Sequence, residues 1–168
     1  YDLTNIGILY YTKGDYDKAL NYYNRSLAIS DKIADKRLIG HILYGIGLVH
    51  HDKGDYDKAL DYYERSLAVK NELGISTNEL LWSTTHIYLA YKKLGKAYNE
   101  NKIHSLIREV DNIQHELNLK LYELLEDTSY LETAYNYLQE KADKLEPDVK
   151  DKFLSFPISK TIVEEYNK

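Results

Sequence analysis

The stretch GDYDKALNYYNRSLAI, residues 14–29, returns as GDYDKALDYYERSLAV at residues 54–69, and only three of the sixteen positions differ. Self-similarity at a period of this size is typical of stacked repeat proteins, in which one supersecondary unit is copied and packs on its neighbour. The forty-residue spacing therefore predicts consecutive copies of one folding unit. It also indicates that function lies in the surface that the copies form.

Each copy predicts a pair of antiparallel helices joined at a Gly-Asp pair. Gly14 supplies the left-handed conformation that ends a helix, and Asp15 is a favourable N-cap for the next helix. Ala19 is the small residue at which the two helices can approach closely. The packing stripe of the first helix recurs at three- and four-residue steps in both copies, as Leu3, Ile6, Gly7 and Tyr10 and then Leu43, Ile46, Gly47 and His50.

The composition favours an all-α fold without nucleic-acid or membrane partners. Two prolines and eight glycines are few for 168 residues, and abundant Leu, Ala, Lys, Glu and Tyr suit long helices with brief turns. The net charge of −5 comes from intermixed acidic and basic residues, so no basic face is present to neutralise nucleic-acid phosphates. No apolar run reaches the roughly 18 residues that cross a bilayer.

Cysteine and methionine are both absent from the sequence. Without cysteine the chain has neither a disulfide nor a thiolate zinc site, which fits a cytoplasmic protein. Without an initiating methionine, the sequence is expected to be a fragment of a longer chain. The second copy has a helical lead-in from about Lys36, whereas the first has only residues 1–13, so we expect the first helix of repeat 1 to be truncated at its start.

The two copies resemble the tetratricopeptide repeat, whose first helix carries a Leu-Gly pair followed by Tyr and whose second carries Ala and then an aromatic residue. The matching residues are Ile6, Gly7, Tyr10, Ala19 and Tyr23, and then Ile46, Gly47, Ala59 and Tyr63. The resemblance implies a right-handed superhelical stack of antiparallel helix pairs, an α-solenoid, closed by a C-terminal capping helix. Such modules bind a peptide or protein in the concave groove that their first helices line.

The resemblance implies a single repeat domain over residues 1–168. Its predicted parts are repeat 1 at 1–35, repeat 2 at 36–75, degenerate repeats at 76–117 and 118–146, and a cap at 147–168. In the third repeat, Gly95 takes the place of Gly14, and helical spacing continues through Ile113. Thr128 or Ser129 is expected to cap a later helix, and the last helix is expected from about Ser159. The cap residues are expected to be Phe153, Leu154, Phe156, Ile158, Ile162 and Val163.

The period of forty residues is longer than the family's usual period of about 34. Longer repeats of this kind are common in tetratricopeptide proteins of signalling and regulatory systems. The segment from Tyr130 to Tyr166 also resembles the end of tetratricopeptide regions at the C-termini of large prokaryotic signalling proteins. These resemblances imply that the chain is the regulatory or scaffolding part of a larger signalling protein.

The candidate binding site consists of first-helix residues that point away from the packing stripe. These residues mix aromatic, aliphatic and hydrogen-bonding groups, as a peptide-binding groove does. The alternative for the aromatic members is packing between neighbouring repeats, and for Trp82 both interpretations stay open. The candidate residues are Thr4, Asn5, Ile8, Tyr11, Thr12, His41, Tyr44, Leu48, His51, Trp82, Thr85, Leu89 and Lys92.

The sequence carries no recognisable catalytic, cofactor or metal motif. The six histidines include no His-x-x-x-His pair, no loop is Gly-rich enough to hold phosphate, and the acidic runs are typical of solvated helix faces. We therefore expect a binding module and not an enzyme. The preferred hypothesis is capture of a protein or peptide in the groove. The alternative is a structural module that self-associates through its exposed helices.

Overall fold

The computed structural model describes residues 2–168, and it forms ten α-helices and no strand in this range. The all-α prediction is confirmed. Tyr1, with which predicted repeat 1 begins, lies outside the described residues. The helices are α1 (Asp2–Thr12), α2 (Tyr16–Lys32), α3 (Lys36–Asp52), α4 (Tyr56–Glu72), α5 (Thr77–Lys93), α6 (Glu100–Arg108), α7 (His115–Leu125), α8 (Thr128–Ala142), α9 (Pro147–Ser155) and α10 (Pro157–Tyr166).

The chain divides into two compact units, one up to Ile107 and one from Arg108 to Lys168. In the first unit, α1 packs against α2, α2 against α3, α3 against α4 and α4 against α5. In the second, α7 packs against α8, and α10 packs against both α8 and α9. The boundary between the units lies within the predicted repeat at 76–117. Helices that follow one another in sequence therefore pack on one another, as in a tetratricopeptide-like solenoid.

The Gly-Asp pairs form the turns that the sequence predicts. Gly14, Gly54 and Gly95 have φ of 75°, 82° and 66°, which is the left-handed region that favours glycine. The Asp15 carboxylate accepts a hydrogen bond from the Lys18 backbone N–H at 3.3 Å and so caps α2. In both matched copies three residues separate the first helix from the second, although Asp55, the N-cap of α4, makes no side-chain capping hydrogen bond.

A tyrosine on the second helix lies directly against the backbone of the first helix in both copies. A Cβ atom on Gly7 would meet the Tyr23 ring at 2.8 Å, and one on Gly47 would meet the Tyr63 ring at 2.5 Å. Both distances are too short for any side chain, so glycine is required where the ring lies. The Tyr23 ring also reaches Gly45 on α3, at 2.9 Å from the position of its Cβ. One ring therefore joins its own hairpin to the next.

A second aromatic pair recurs on the outside of each hairpin. Tyr10 stacks on Tyr22 with ring centroids 5.4 Å apart, and His50 stacks on Tyr62 at 5.6 Å, with an interplanar angle of 7° in both pairs. The His50 Nδ1 atom also lies 3.3 Å from the Asp55 carboxylate. Histidine thus takes the stacking role of tyrosine at this position.

The later helices differ from the sequence predictions at three boundaries. Helix α6 ends at Arg108, although the helical spacing predicted its continuation through Ile113. Helix α8 is capped by Asp127, whose carboxylate accepts from the Ser129 backbone N–H at 2.9 Å; the predicted caps, Thr128 and Ser129, are helical residues. Helix α10 begins at Pro157, two residues before the predicted start, because proline is favourable at the first helical position.

The second unit has its own apolar core. Leu119 of α7 and Leu138 of α8 are buried there together with Ile162 of α10, which has no exposed surface. Phe153 and Ile158 pack against this core, whereas Phe156 is 58% exposed. Leu154 and Val163 are also partly buried. The five predicted cap residues other than Phe156 are therefore fully or partly buried, and Phe156 is not part of the core.

Candidate functional site: the first-helix surface

The thirteen residues of the predicted groove, called here the first-helix surface, fall into three groups by exposure. Asn5, Ile8, Thr12 and His41 are exposed. Tyr11, Tyr44, Leu48, His51, Trp82 and Lys92 are partly buried. Thr4, Thr85 and Leu89 are buried. The accessible part of the surface therefore lies on α1 and α3, and α5 contributes only Trp82 and Lys92.

The three buried residues do not line an exposed groove, which corrects their assignment from the sequence. The Thr4 and Ser26 hydroxyls lie 2.8 Å apart across the seam of the α1–α2 hairpin. The Thr85 hydroxyl donates to the Leu81 carbonyl oxygen of its own helix at 2.7 Å. Every residue of α5 from 83 to 90 is buried, Leu89 included, so this helix has no free face over two turns. The prediction assumed that α5 repeats the half-exposed pattern of α1.

Tyr44 lies in an aromatic cluster between α3, α4 and α5. Its ring centroid is 5.6 Å from that of Tyr63 and 5.4 Å from that of His86. Trp82 stacks on His86 at 5.5 Å and an interplanar angle of 11°. Burial raises the pKa of the Tyr44 hydroxyl far above its usual value. Tyr44 therefore joins two repeats, which is the packing role that the sequence left as the alternative for the aromatic residues.

The hydrogen bonds of His86 fix this cluster further. Its Nδ1 atom lies 2.9 Å from the Trp82 carbonyl oxygen, so in the neutral ring Nδ1 carries the proton and donates. The Tyr44 hydroxyl lies 3.1 Å from Nδ1 and 3.3 Å from Nε2, and in this tautomer Nε2 is the nitrogen that can accept its proton. Both ring nitrogens thus have a partner. Side chains from α3, α4 and α5 therefore pack together beneath the first-helix surface.

A second polar link joins α1 to α3. The Tyr11 hydroxyl donates to the Asp52 carboxylate at 2.8 Å, and His51 Nδ1 lies 3.3 Å from the other oxygen of the same carboxylate. Burial, and then the Asp52 charge, raises the pKa of Tyr11 far above its usual value. The His51 ring meets Tyr56 edge to face at 5.3 Å. The Tyr11–Asp52 hydrogen bond therefore joins the two repeats, whereas the His51 contacts stay within the second repeat.

A small cavity opens beside His41, where α3 begins, α4 ends and α5 begins. Its volume is about 50 Å³, and its charged lining residues are Arg37, Lys70 and Glu79. Only 9% of the Lys70 surface is exposed, and its ammonium lies 5.0 Å from the Tyr44 ring centroid. Burial lowers the pKa of Lys70. Burial, and then the charge of Lys70, lowers the pKa of His41.

Sequence reasoning missed Lys70 because it searched for differences only within the first helices. Lys70 immediately follows the sixteen matched residues, and the corresponding position of the first copy holds Ser30. The Ser30 hydroxyl is buried and donates to the Ser26 carbonyl oxygen at 2.9 Å. The signal in the sequence was the exchange of Ser30, whose hydroxyl bonds within its own helix, for the cationic residue Lys70 in the second copy.

Comparison with known proteins identifies the first four helices. Residues 3–72 match the family model of the tetratricopeptide repeat. The first two hairpins are therefore similar to tetratricopeptide repeats. The family consists of protein–protein interaction modules. No curated protein and no solved structure matches the chain.

No group of three or more His, Asp or Glu side chains in residues 2–168 is placed to hold a metal ion. Over the same residues, no helix has the length and apolar character needed to span a membrane. The exposed first-helix residues and the small charged cavity beside them are accessible features of the first five helices.

Proposed function

We propose that the tetratricopeptide repeats bind a peptide or protein segment along the accessible part of the first-helix surface. The observation that carries this proposal is the pair Ile8 and Leu48, which occupy the same position in the two copies. Ile8 is 46% exposed and Leu48 is partly buried. Apolar side chains beside polar Asn5 and His41 are the mixture from which partner-binding surfaces are built.

The rigid floor beneath this surface supports the proposal. The Tyr11–Asp52 and Tyr44–His86 hydrogen bonds join successive helices below the exposed side chains. A surface that is already ordered loses little conformational entropy when a partner binds, and this raises affinity without new contacts. The buried hydroxyls therefore support binding without touching the partner.

We also propose a role for the repeats within a larger protein. The forty-residue period and the character of the C-terminal segment favour a cytoplasmic regulatory or scaffolding role in a larger signalling protein. The repeats would recruit a protein to that assembly. In this proposal the repeats bind a partner and do not catalyse a reaction.

The test compares two neighbouring apolar residues of α1. Leu9 is 50% exposed, slightly more than Ile8, but belongs to a different face of the helix. We expect Ile8→Asp and Leu48→Asp to abolish capture of a partner by the immobilised chain, and Leu9→Asp to leave it unchanged. Equal loss in all three variants, or in none, would contradict the assignment. Circular dichroism checks that each variant keeps the helical content of the parent.

Self-association is the second candidate, and it rests on a different apolar surface. Ile29 and Ile33 of the α2 end are 52% and 65% exposed, and with Leu3 and Leu38 they line a cavity of about 290 Å³. A second copy could cover these side chains. Sedimentation of the parent chain and of the Ile33→Asp variant tests self-association. A dimer that the substitution dissociates supports this candidate. A monomeric parent chain excludes it.

A further inference from the structure

The second unit contains a cavity of about 290 Å³ at the start of α7. It is lined by the segment from Asn112 to Glu116, by Asn118 of α7, and by Thr133 and Tyr137 of α8. Its volume lies just below the range of about 300–1,000 Å³ that small-molecule sites have. A group of three or four heavy atoms would leave most of this space empty, so the cavity suits a ligand the size of one ring system.

An exposed aromatic pair borders this cavity. The rings of His115 and Tyr137 stack with centroids 4.7 Å apart and an interplanar angle of 15°. Tyr137 is 42% exposed and is not one of the residues that pack on the apolar core of this unit. Aromatic surface at the edge of a cavity is suited to stacking of a flat ligand ring.

Asn118 supplies a hydrogen-bond acceptor at the same place. Only 4% of its surface is exposed, and its Nδ2 donates to the Ile113 carbonyl oxygen at 3.1 Å. Its Oδ1 accepts no hydrogen bond from the described residues, and the accessible remainder of Asn118 lines the cavity. Because Ile113 lies just before the helix, this bond holds the carboxamide beside the first turn of α7. The oxygen is therefore left to a donor that enters the cavity.

The start of α7 supplies donors beside this acceptor. Gln114, the N-cap residue, makes no side-chain capping hydrogen bond, so the backbone N–H groups of the first turn lack that partner. The helix dipole favours an anion at this end, but Glu116 lies in the first turn and also lines the cavity. Neither sign of charge is therefore favoured. The cavity suits an uncharged ligand that both donates and accepts hydrogen bonds.

We propose that this cavity, here called the α7 pocket, binds the adenine base of an uncharged nucleoside. Adenine is flat and carries an amino donor beside a ring-nitrogen acceptor. The amino group donates to Asn118 Oδ1, a first-turn N–H donates to the ring nitrogen, and the base stacks against the His115–Tyr137 pair. This site goes beyond the proposed function, because it belongs to the second unit and does not require a peptide partner.

Titration of adenosine into the 168-residue chain tests the α7 pocket directly. Nuclear magnetic resonance follows the rings of His115 and Tyr137 and the side-chain amide of Asn118. We expect saturable shifts of all three signals with one dissociation constant, and no shift of the Tyr166 ring. Absence of saturation, or an equal shift of Tyr166, overturns the proposal.

Two tyrosines of nearly equal exposure provide matched variants. Tyr166 is 41% exposed and stacks on Tyr135 at 3.9 Å, much as Tyr137 stacks on His115, but it does not line the α7 pocket. We expect Tyr137→Leu to weaken adenosine binding at least about fivefold and Tyr166→Leu to leave it unchanged. Equal effects of the two substitutions overturn the proposal. If Tyr137→Leu loses helical content, ligand analogues on the parent chain decide.

Three analogues test the ligand class without any substitution. Purine riboside lacks the amino group, and we expect it to bind at least about threefold more weakly than adenosine. Equal binding overturns the pairing with Asn118. Adenosine monophosphate that binds more tightly than adenosine would show an anion site at the start of α7 and overturn the choice of an uncharged ligand. Acetamide that binds as tightly as adenosine would show a site for a partner's carboxamide side chain and overturn the proposal.

Discussion

The first two hairpins share thirteen of the sixteen residues in 14–29 and 54–69, yet they present different surfaces. Both place a tyrosine ring on a glycine, Tyr23 on Gly7 and Tyr63 on Gly47. They differ where the ring meets the next helix: Tyr23 reaches Gly45, whereas Tyr63 meets His86 at a centroid distance of 5.8 Å. The shared residues build the hairpin, and the differing residues decide what lies between hairpins.

The largest expected effect comes from removing the ring that both copies share. Tyr63 is 1% exposed and packs on Gly47, Tyr44 and His86. We expect Tyr63→Ala to lower the free energy of unfolding by about 3–5 kcal/mol, because the lost ring leaves a cavity between two repeats. Urea unfolding measures it. A loss below about 1 kcal/mol would show that the ring does not join the hairpins.

The ring of the first copy predicts a loss of stability at alkaline pH. Burial raises the pKa of Tyr23 from 10.0 to about 12, so its protonated form is favoured by folding. The stabilisation is complete below pH 10 and is lost as the pH rises toward 12, by about 2–3 kcal/mol in total. Urea unfolding from pH 9 to 12 measures the slope. Tyr23→Phe should have a shallower slope, and an unchanged slope would contradict the burial of this hydroxyl.

Substituting the glycine beneath the ring distinguishes the stability cost of close packing from the stability gain of higher helix propensity. Gly47→Ala places a methyl group against Tyr63 and should destabilise the fold by about 1–3 kcal/mol. Gly40→Ala is the matched control on the same helix, because its Cβ would meet the flexible Lys70 stem at 3.2 Å and Val69 at an ordinary contact distance of 3.6 Å; it should be neutral or stabilising by up to about 1 kcal/mol. Thermal unfolding measures the stability of both variants. Equal effects would mean that the ring can move away.

The smallest effect is expected where the two copies exchange one aromatic residue for another. Tyr10 and His50 stack on Tyr22 and Tyr62 with the same interplanar angle. We expect His50→Tyr to change stability by less than about 1 kcal/mol, because the ring pair is kept and only the contact with Asp55 is lost. A calorimetric scan detects a larger change, which would show that the two outer stacks are not equivalent.

Local chemistry explains which features were predictable from the sequence. Gly14 and Asp15 dictate a turn through their own conformational and capping preferences, so the helix ends followed from the residues. The burial of Leu89 depends on tertiary packing around α5, which the copied pattern does not encode. Lys70 required the comparison of two copies beyond their matched segment. The end of α6 at Arg108 lacked a Gly or Pro signal, so spacing alone predicted too long a helix.

Photo-cross-linking tests most directly whether the first-helix surface binds a partner. A photoreactive amino acid replaces Leu48 in one sample and Ile33, the residue after α2, in another, and the products are identified by mass spectrometry. The account predicts a covalent product with a separate protein from position 48 and none from position 33. A product between two copies of this chain from position 48, or a partner joined only at position 33, would contradict it.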